Sequence, residues 1–135
     1  MKRLSLVKRD ASGAAAVEMA LALPVLISMI YGIFQVGLLY QANAGMQHAL
    51  GEGARYATIC IPSGSTCAAP SDTLIKARIQ SKLFGKGDGA FTVADPVAGA
   101  GFRTLSISYS KKMNFIFFNG PTITLTRSKK AYTVI

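Results

Sequence analysis

GAAAVEM, Gly13 to Met19, followed by ALALPVLISMIYGIFQVGLLY, Ala20 to Tyr40, is the stretch that decides the fold. One acid, Glu18, stands at the edge of an apolar run. From Met19 to Gly51 there is no Asp, Glu, Lys or Arg, a gap of 33 residues. A bilayer core needs only about 20 apolar residues to be crossed by a helix. No buried helix of a small soluble domain requires such a run. Met19 to about Tyr40 therefore reads as a membrane span. A carboxylate placed beside it is costly to bury, which makes Glu18 a candidate functional residue.

Working outward, Lys2, Arg3, Lys8 and Arg9 precede the run beside one acid, Asp10. Basic residues flanking a first span favour a cytoplasmic N-terminus. The remaining chain would then lie outside the inner membrane. The apolar run is too long for a secretory-signal core and has no small-x-small cut site at its far end. The formal charge of the chain is +9; the first thirteen residues carry four bases and one acid, which leaves +6 beyond them.

Four zones follow. Residues 1–13 form a basic leader. Residues 14–59 read as one long helix, apolar all round in its first half and mixed in its second, where Gln41, Asn43, Gln47, His48, Glu52 and Arg55 appear. Pro24 removes one backbone donor and is expected to kink it. Residues 60–70 read as a loop bounded by Cys60 and Cys67, with Pro62, Ser63, Gly64 and Ser65 giving turn chemistry. In an oxidising compartment these cysteines would form a disulfide, contributing about 2–3 kcal/mol over so short a loop; free thiols are the alternative. Their spacing is neither CxxC nor a zinc pattern.

Residues 71–135 read as a small α+β domain. Ser71 or Asp72 caps a helix in which Ile75, Ile79 and Leu83 share one face and which Gly85 ends. After a glycine-rich turn the period changes to two. Strands are expected around Phe91 and Val93, around Leu105, Ile107 and Tyr109, around Ile123 and Leu125, and around Tyr132 and Val134, with a turn at Asn119-Gly120. About 65 residues give a modest core, so this domain is expected to pack on the outer half of the long helix.

Catalysis has little to work with. His48 is the single histidine, and beyond the span the acids are Glu52, Asp72, Asp88 and Asp95. No nucleophile–base pair, metal-ligand spacing or phosphate loop is visible, so no enzyme, metal or cofactor is expected. Charge offers one alternative. From Gly53 onward there are eleven bases against three acids, and Lys111, Lys112, Arg127, Lys129 and Lys130 cluster near Tyr109, Phe115 and Tyr132. Such a face could hold DNA or another polyanion, or be an ordinary solvated surface.

The leader, Gly13, Glu18 at the fifth position after it, Pro24 within the span and GEGARYATI, Gly51 to Ile59, together resemble the TadE-like minor pilins of tight-adherence (Tad) systems. The resemblance runs from Gly13 to about Ile59. It implies that Gly13 is the last leader residue recognised by a prepilin peptidase, an aspartic protease of the inner membrane, and that Ala14 becomes the new N-terminus. Glu18 would be the acid that pilins share at that position. Many Tad pilins follow it with Phe or Tyr; Met19 stands here instead. The implied partners are the peptidase, the inner membrane, a major pilin and a second minor pilin. The implied role is pilus assembly or initiation and adhesion, first as a single-pass membrane precursor and then at the cell surface. A pseudopilin of a type II-like secretion or DNA-uptake machine, or a plain anchored envelope protein, would share parts of this pattern.

Overall fold

The computed structural model describes residues 11–63, 66–116 and 118–132; most of the expected leader lies outside them. Helix α1, Ala11–Ala57, is a single 47-residue helix that runs through Pro24. At 1.5 Å per residue it is about 70 Å long. Its first half touches almost nothing. Its second half carries Ala42, Met46, Ala49, Leu50, Ala54 and Ala57 on one buried stripe, the i, i+4, i+7 spacing of a helix that packs on one side.

A small antiparallel sheet covers that stripe. Its spine is β5, Phe102–Asn114, with β6, Asn119–Tyr132, along one edge in register from Phe102↔Tyr132 to Asn114↔Asn119. The other edge of β5 is shared end to end by β3, Ala90–Val93, and β4, Val97–Gly99. Between these two the register slips by one residue at Asp95-Pro96, where proline has no N–H to give a ladder. A second slip lies opposite Met113, at Gly120-Pro121. Leu105, Ile107, Tyr109, Lys111 and Met113 alternate onto the helix-facing side of β5, as period-two patterning requires.

Helix α2, Asp72–Ser81, fills the flank. The Ser71 hydroxyl accepts the Leu74 N–H at 3.4 Å, and Asp72 sits in the first turn where the helix dipole favours an acid. Ile75 and Ile79 are buried against α1. Close approach is bought by two glycines. A Cβ on Gly53 would strike the Ile79 side chain, and one on Gly45 would strike the backbone carbonyl of Phe84.

Several sequence expectations change. Residues 60–70 hold two three-residue strands, β1 (Ile61–Ser63) and β2 (Thr66–Ala68), paired as a hairpin, with Cys60 and Cys67 disulfide-bonded across Cα atoms 5.5 Å apart. Helix α2 stops at Ser81 with Lys82 as its C-cap, before Gly85, because the Lys82 N–H turns back to the Ile79 carbonyl. Asn119 opens β6; the chain turns earlier, at 115–118, where the Phe115 N–H meets the Phe118 carbonyl at 2.9 Å. The two last expected strands are one, and their facing is reversed at the end: Ala131 is buried and Tyr132 exposed. Val134 lies outside the described residues.

The glycine contacts give a direct test. Gly45→Ala should lower the melting temperature of the detergent-solubilised chain, with an overpacking cost of about 1–3 kcal/mol. Gly37→Ala, where a Cβ meets nothing within 4 Å, should leave it unchanged or slightly raised. Thermal circular dichroism reads both; equal effects would contradict the packing described.

Candidate functional site

The first half of α1 presents a long apolar surface that the other described residues leave largely uncovered. Val17, Met19, Leu21, Val25, Leu26, Met29, Ile30, Ile33 and Phe34 are all exposed, and they point in every direction around the helix. The most apolar window of this helix has none of its residues buried within the protein. Large exposed apolar surfaces mark contact with lipid or with other chains. By length and composition, α1 can cross a membrane.

Glu18 is exposed within this segment and has no hydrogen bond or ion pair among the described residues. Gly13 and Ala14 lie in the first turns of α1, exposed. Among the described residues a Cβ at Gly13 would meet nothing within 4 Å, so they place no steric demand for glycine there. Gly45 and Gly53 are explained by packing and Gly13 is not. Pro24 lies between Glu18 and the domain; its carbonyl accepts the Ser28 hydroxyl at 2.6 Å.

The junction between free helix and domain begins at Gln35, which is buried. Its side-chain amide donates to the Asn114 carbonyl at 3.1 Å, while its own oxygen has no partner among the described residues. Below it, Phe115 and Phe118 stack with ring centroids 4.7 Å apart, and Phe115 lies against Gly32. Above it, Arg127 donates through Nε to Asn43 at 2.8 Å. Gln35, Asn114 and the phenylalanine tip were not singled out by sequence. The signal available for the tip was four apolar residues, Phe115 to Phe118, in a row without alternation.

The five basic residues taken as a cluster do not form one surface. Lys111 is only 2% exposed, on the helix-facing side of β5, with Nζ 3.6 Å from Asp88 and no hydrogen-bond partner among the described residues. It therefore leaves the list of candidates for polyanion binding. The alternation itself pointed there, since Lys111 continues the odd-numbered series of Leu105, Ile107 and Tyr109. Lys112 and Lys130 alternate onto the opposite face, where Lys130 Nζ lies 4.6 Å from the centre of the Phe102 ring. Arg127 and Lys129 flank α1 near Asn43 and Gly51. Other bases are engaged: Arg55 and Arg78 with Glu52, Lys76 with Asp95, and Arg103 with Asp72.

Beside Lys111, the Tyr109 hydroxyl donates to the Lys86 carbonyl at 2.8 Å. Burial, reinforced by the charge of Asp88, pushes its phenol above the ordinary value. It stays a neutral donor at physiological pH. His48 is exposed, with its ring 5.7 Å from that of Phe84. Among the described residues no group of three or more His, Cys, Asp or Glu side chains is placed to hold a metal ion.

Comparison with known families matches residues 13–55 to the model of the TadE-like protein family. The match covers nearly all of α1 and none of the sheet. Searches among curated proteins and among solved structures returned no match.

The Lys111–Asp88 pair generates a test of its own. Asp88→Ala should destabilise the chain by about 1–2 kcal/mol, between the worth of a surface pair and a buried one. Adding Lys111→Met should recover most of that loss, because the buried charge is then gone. Melts of the two variants and the double variant check this; an unrepaired double variant would show that Asp88 acts elsewhere.

Proposed function

We propose that this chain, TadE-like through residues 13–55, is the precursor of a minor pilin of a Tad-type pilus. It enters the inner membrane once, with its N-terminus in the cytoplasm and its domain in the periplasm. A prepilin peptidase trims it between Gly13 and Ala14. The freed helix then packs beside those of a major pilin and a second minor pilin, in the fibre or in the complex that starts it. The small domain makes lateral or tip contacts and serves adhesion. Its role is structural, with no enzymatic step assigned to any residue.

The observation that carries this reading is the half-helix that is apolar on every side, unburied, and interrupted only by Glu18. Lipid satisfies such a helix first, and the helices of other subunits can satisfy it afterwards. An unpaired Glu in lipid costs roughly 3 kcal/mol on insertion scales when it lies at the centre of the bilayer. After trimming, the amine of Ala14 is a cation one helical turn from Glu18. Pairing with that amine, on its own chain or a neighbour's, offsets much of the cost and fixes the register of adjacent helices. Gly13 fits recognition by another protein, because its own fold makes no use of it. Pro24 gives the helix a place to bend as it moves from membrane to fibre.

Binding of DNA through the basic residues receives less support. Lys111 is buried, and the other four are divided between the two faces of the sheet.

Glu18→Ala separates assembly from insertion. The variant should be trimmed and membrane-bound to the level of the parent chain, yet absent from sheared pili when the fractions are compared by immunoblot. Glu18→Gln should behave likewise if charge is what matters. Normal incorporation of both would remove Glu18 from assembly.

A further inference from the structure

We propose that the turn between β5 and β6, carrying Phe115, Ile116 and Phe118, dips into the outer edge of the membrane beside α1 and sets the depth at which the precursor sits. This rests on the membrane reading given above. Phe118 is 63% exposed and Ile116 51%, although both are large and apolar. They do not stand alone. Phe115 and Phe118 form one wall of an open cleft of about 550 Å³ whose other wall is Met29, Gly32, Ile33 and Val36 of α1. The cleft is continuous with the bare apolar half of the helix.

Depth follows from the rise of the helix. From Ala14 to Gly32 is about 27 Å, close to the roughly 30 Å of a hydrocarbon core. With Ala14 at the inner boundary, the tip of the turn lies at the outer one. The polar groups then fall in place above it: Gln35 and Asn114 hydrogen-bonded at the junction, then Asn119, Thr122 and Lys112, all three exposed. Lys112 can reach lipid phosphates while its stem stays low. A span of residues 19–40, by contrast, would drag the tip about 12 Å below the outer boundary. It would take Asn114, Asn119 and the unpartnered oxygen of Gln35 into hydrocarbon, where each unsatisfied polar group costs several kcal/mol. The lipid-crossing part is therefore residues 14 to about 33, shifted inward from the span that hydropathy alone suggests. Acyl chains fill the cleft.

The chain has no tryptophan, so single-tryptophan variants report position without background. The full-length chain would be reconstituted in vesicles of phosphatidylethanolamine with a minor share of phosphatidylglycerol, with lipids brominated either deep in the chain or near the carbonyls. The variants are Phe118→Trp and Ile116→Trp at the tip, Val25→Trp at mid-span, and Tyr132→Trp at the far end of the sheet. Expected is loss of Val25→Trp emission with deep bromines, blue-shifted emission and loss for both tip variants with shallow bromines, and no loss for Tyr132→Trp. Red-shifted, unquenched tip variants beside a quenched Val25→Trp would overturn the proposal and leave the membrane reading intact. Blue-shifted but unquenched tip emission would mean that another protein copy covers the cleft, which also overturns it. An unquenched Val25→Trp would overturn the membrane reading, and this proposal with it.

Discussion

One helix has to satisfy two different surroundings, and everything else in this chain is arranged around that division. The upper half of α1 is a packing surface of alanines, a methionine and a leucine that the sheet and α2 cover. The lower half has the same helical backbone, but the described residues bury almost none of it. A domain of this size has no spare apolar surface to lend it. In the function proposed above, the lower half takes its partners from outside the chain, first lipid and then other helices.

The small domain is built to grip that helix closely. Small residues on α1 allow close approach, to backbone where Gly45 meets the Phe84 carbonyl and to a side chain where Gly53 meets Ile79. β5 lays Leu105, Ile107 and Tyr109 into the core shared with the stripe, and both of its edges are occupied. The sheet breaks its ladder at Asp95-Pro96 and Gly120-Pro121, the places where proline removes a donor. The disulfide closes the hairpin that follows α1 directly, so the chain leaves the helix along a covalently fixed path. At the lower margin the Gln35–Asn114 bond and the stacked phenylalanines mark where the domain stops and the bare helix begins.

Much of this was legible in the sequence, for physical reasons. A charge gap of 33 residues has few readings other than a long apolar helix. The alternation around Leu105 and Ile123 gave the two long strands their core faces. What escaped notice lacked a pattern of its own. β4 is three residues long, two of them small and all exposed. The continuity of β6 was hidden because Arg127 and Lys129, which face the helix side, reach solvent at its margin and need no apolar side chain there. Lys111 was misplaced because its charge outweighed its position in the alternation. Glu18 was visible as chemistry, since a lone carboxylate in an apolar run is conspicuous. The structure adds that it has no partner among the described residues, and the proposed function supplies one from trimming or from another subunit.

The most direct test of this account is the intact mass and N-terminal sequence of the chain, expressed with and without a prepilin peptidase. The expected result is a peptidase-dependent product that begins at Ala14, with the leader of residues 1–13 gone and the Cys60–Cys67 disulfide retained. A chain that still begins at Met1 in the presence of an active peptidase would contradict it. The protein would then be an ordinary anchored domain, and Glu18 would have no new amine to pair with.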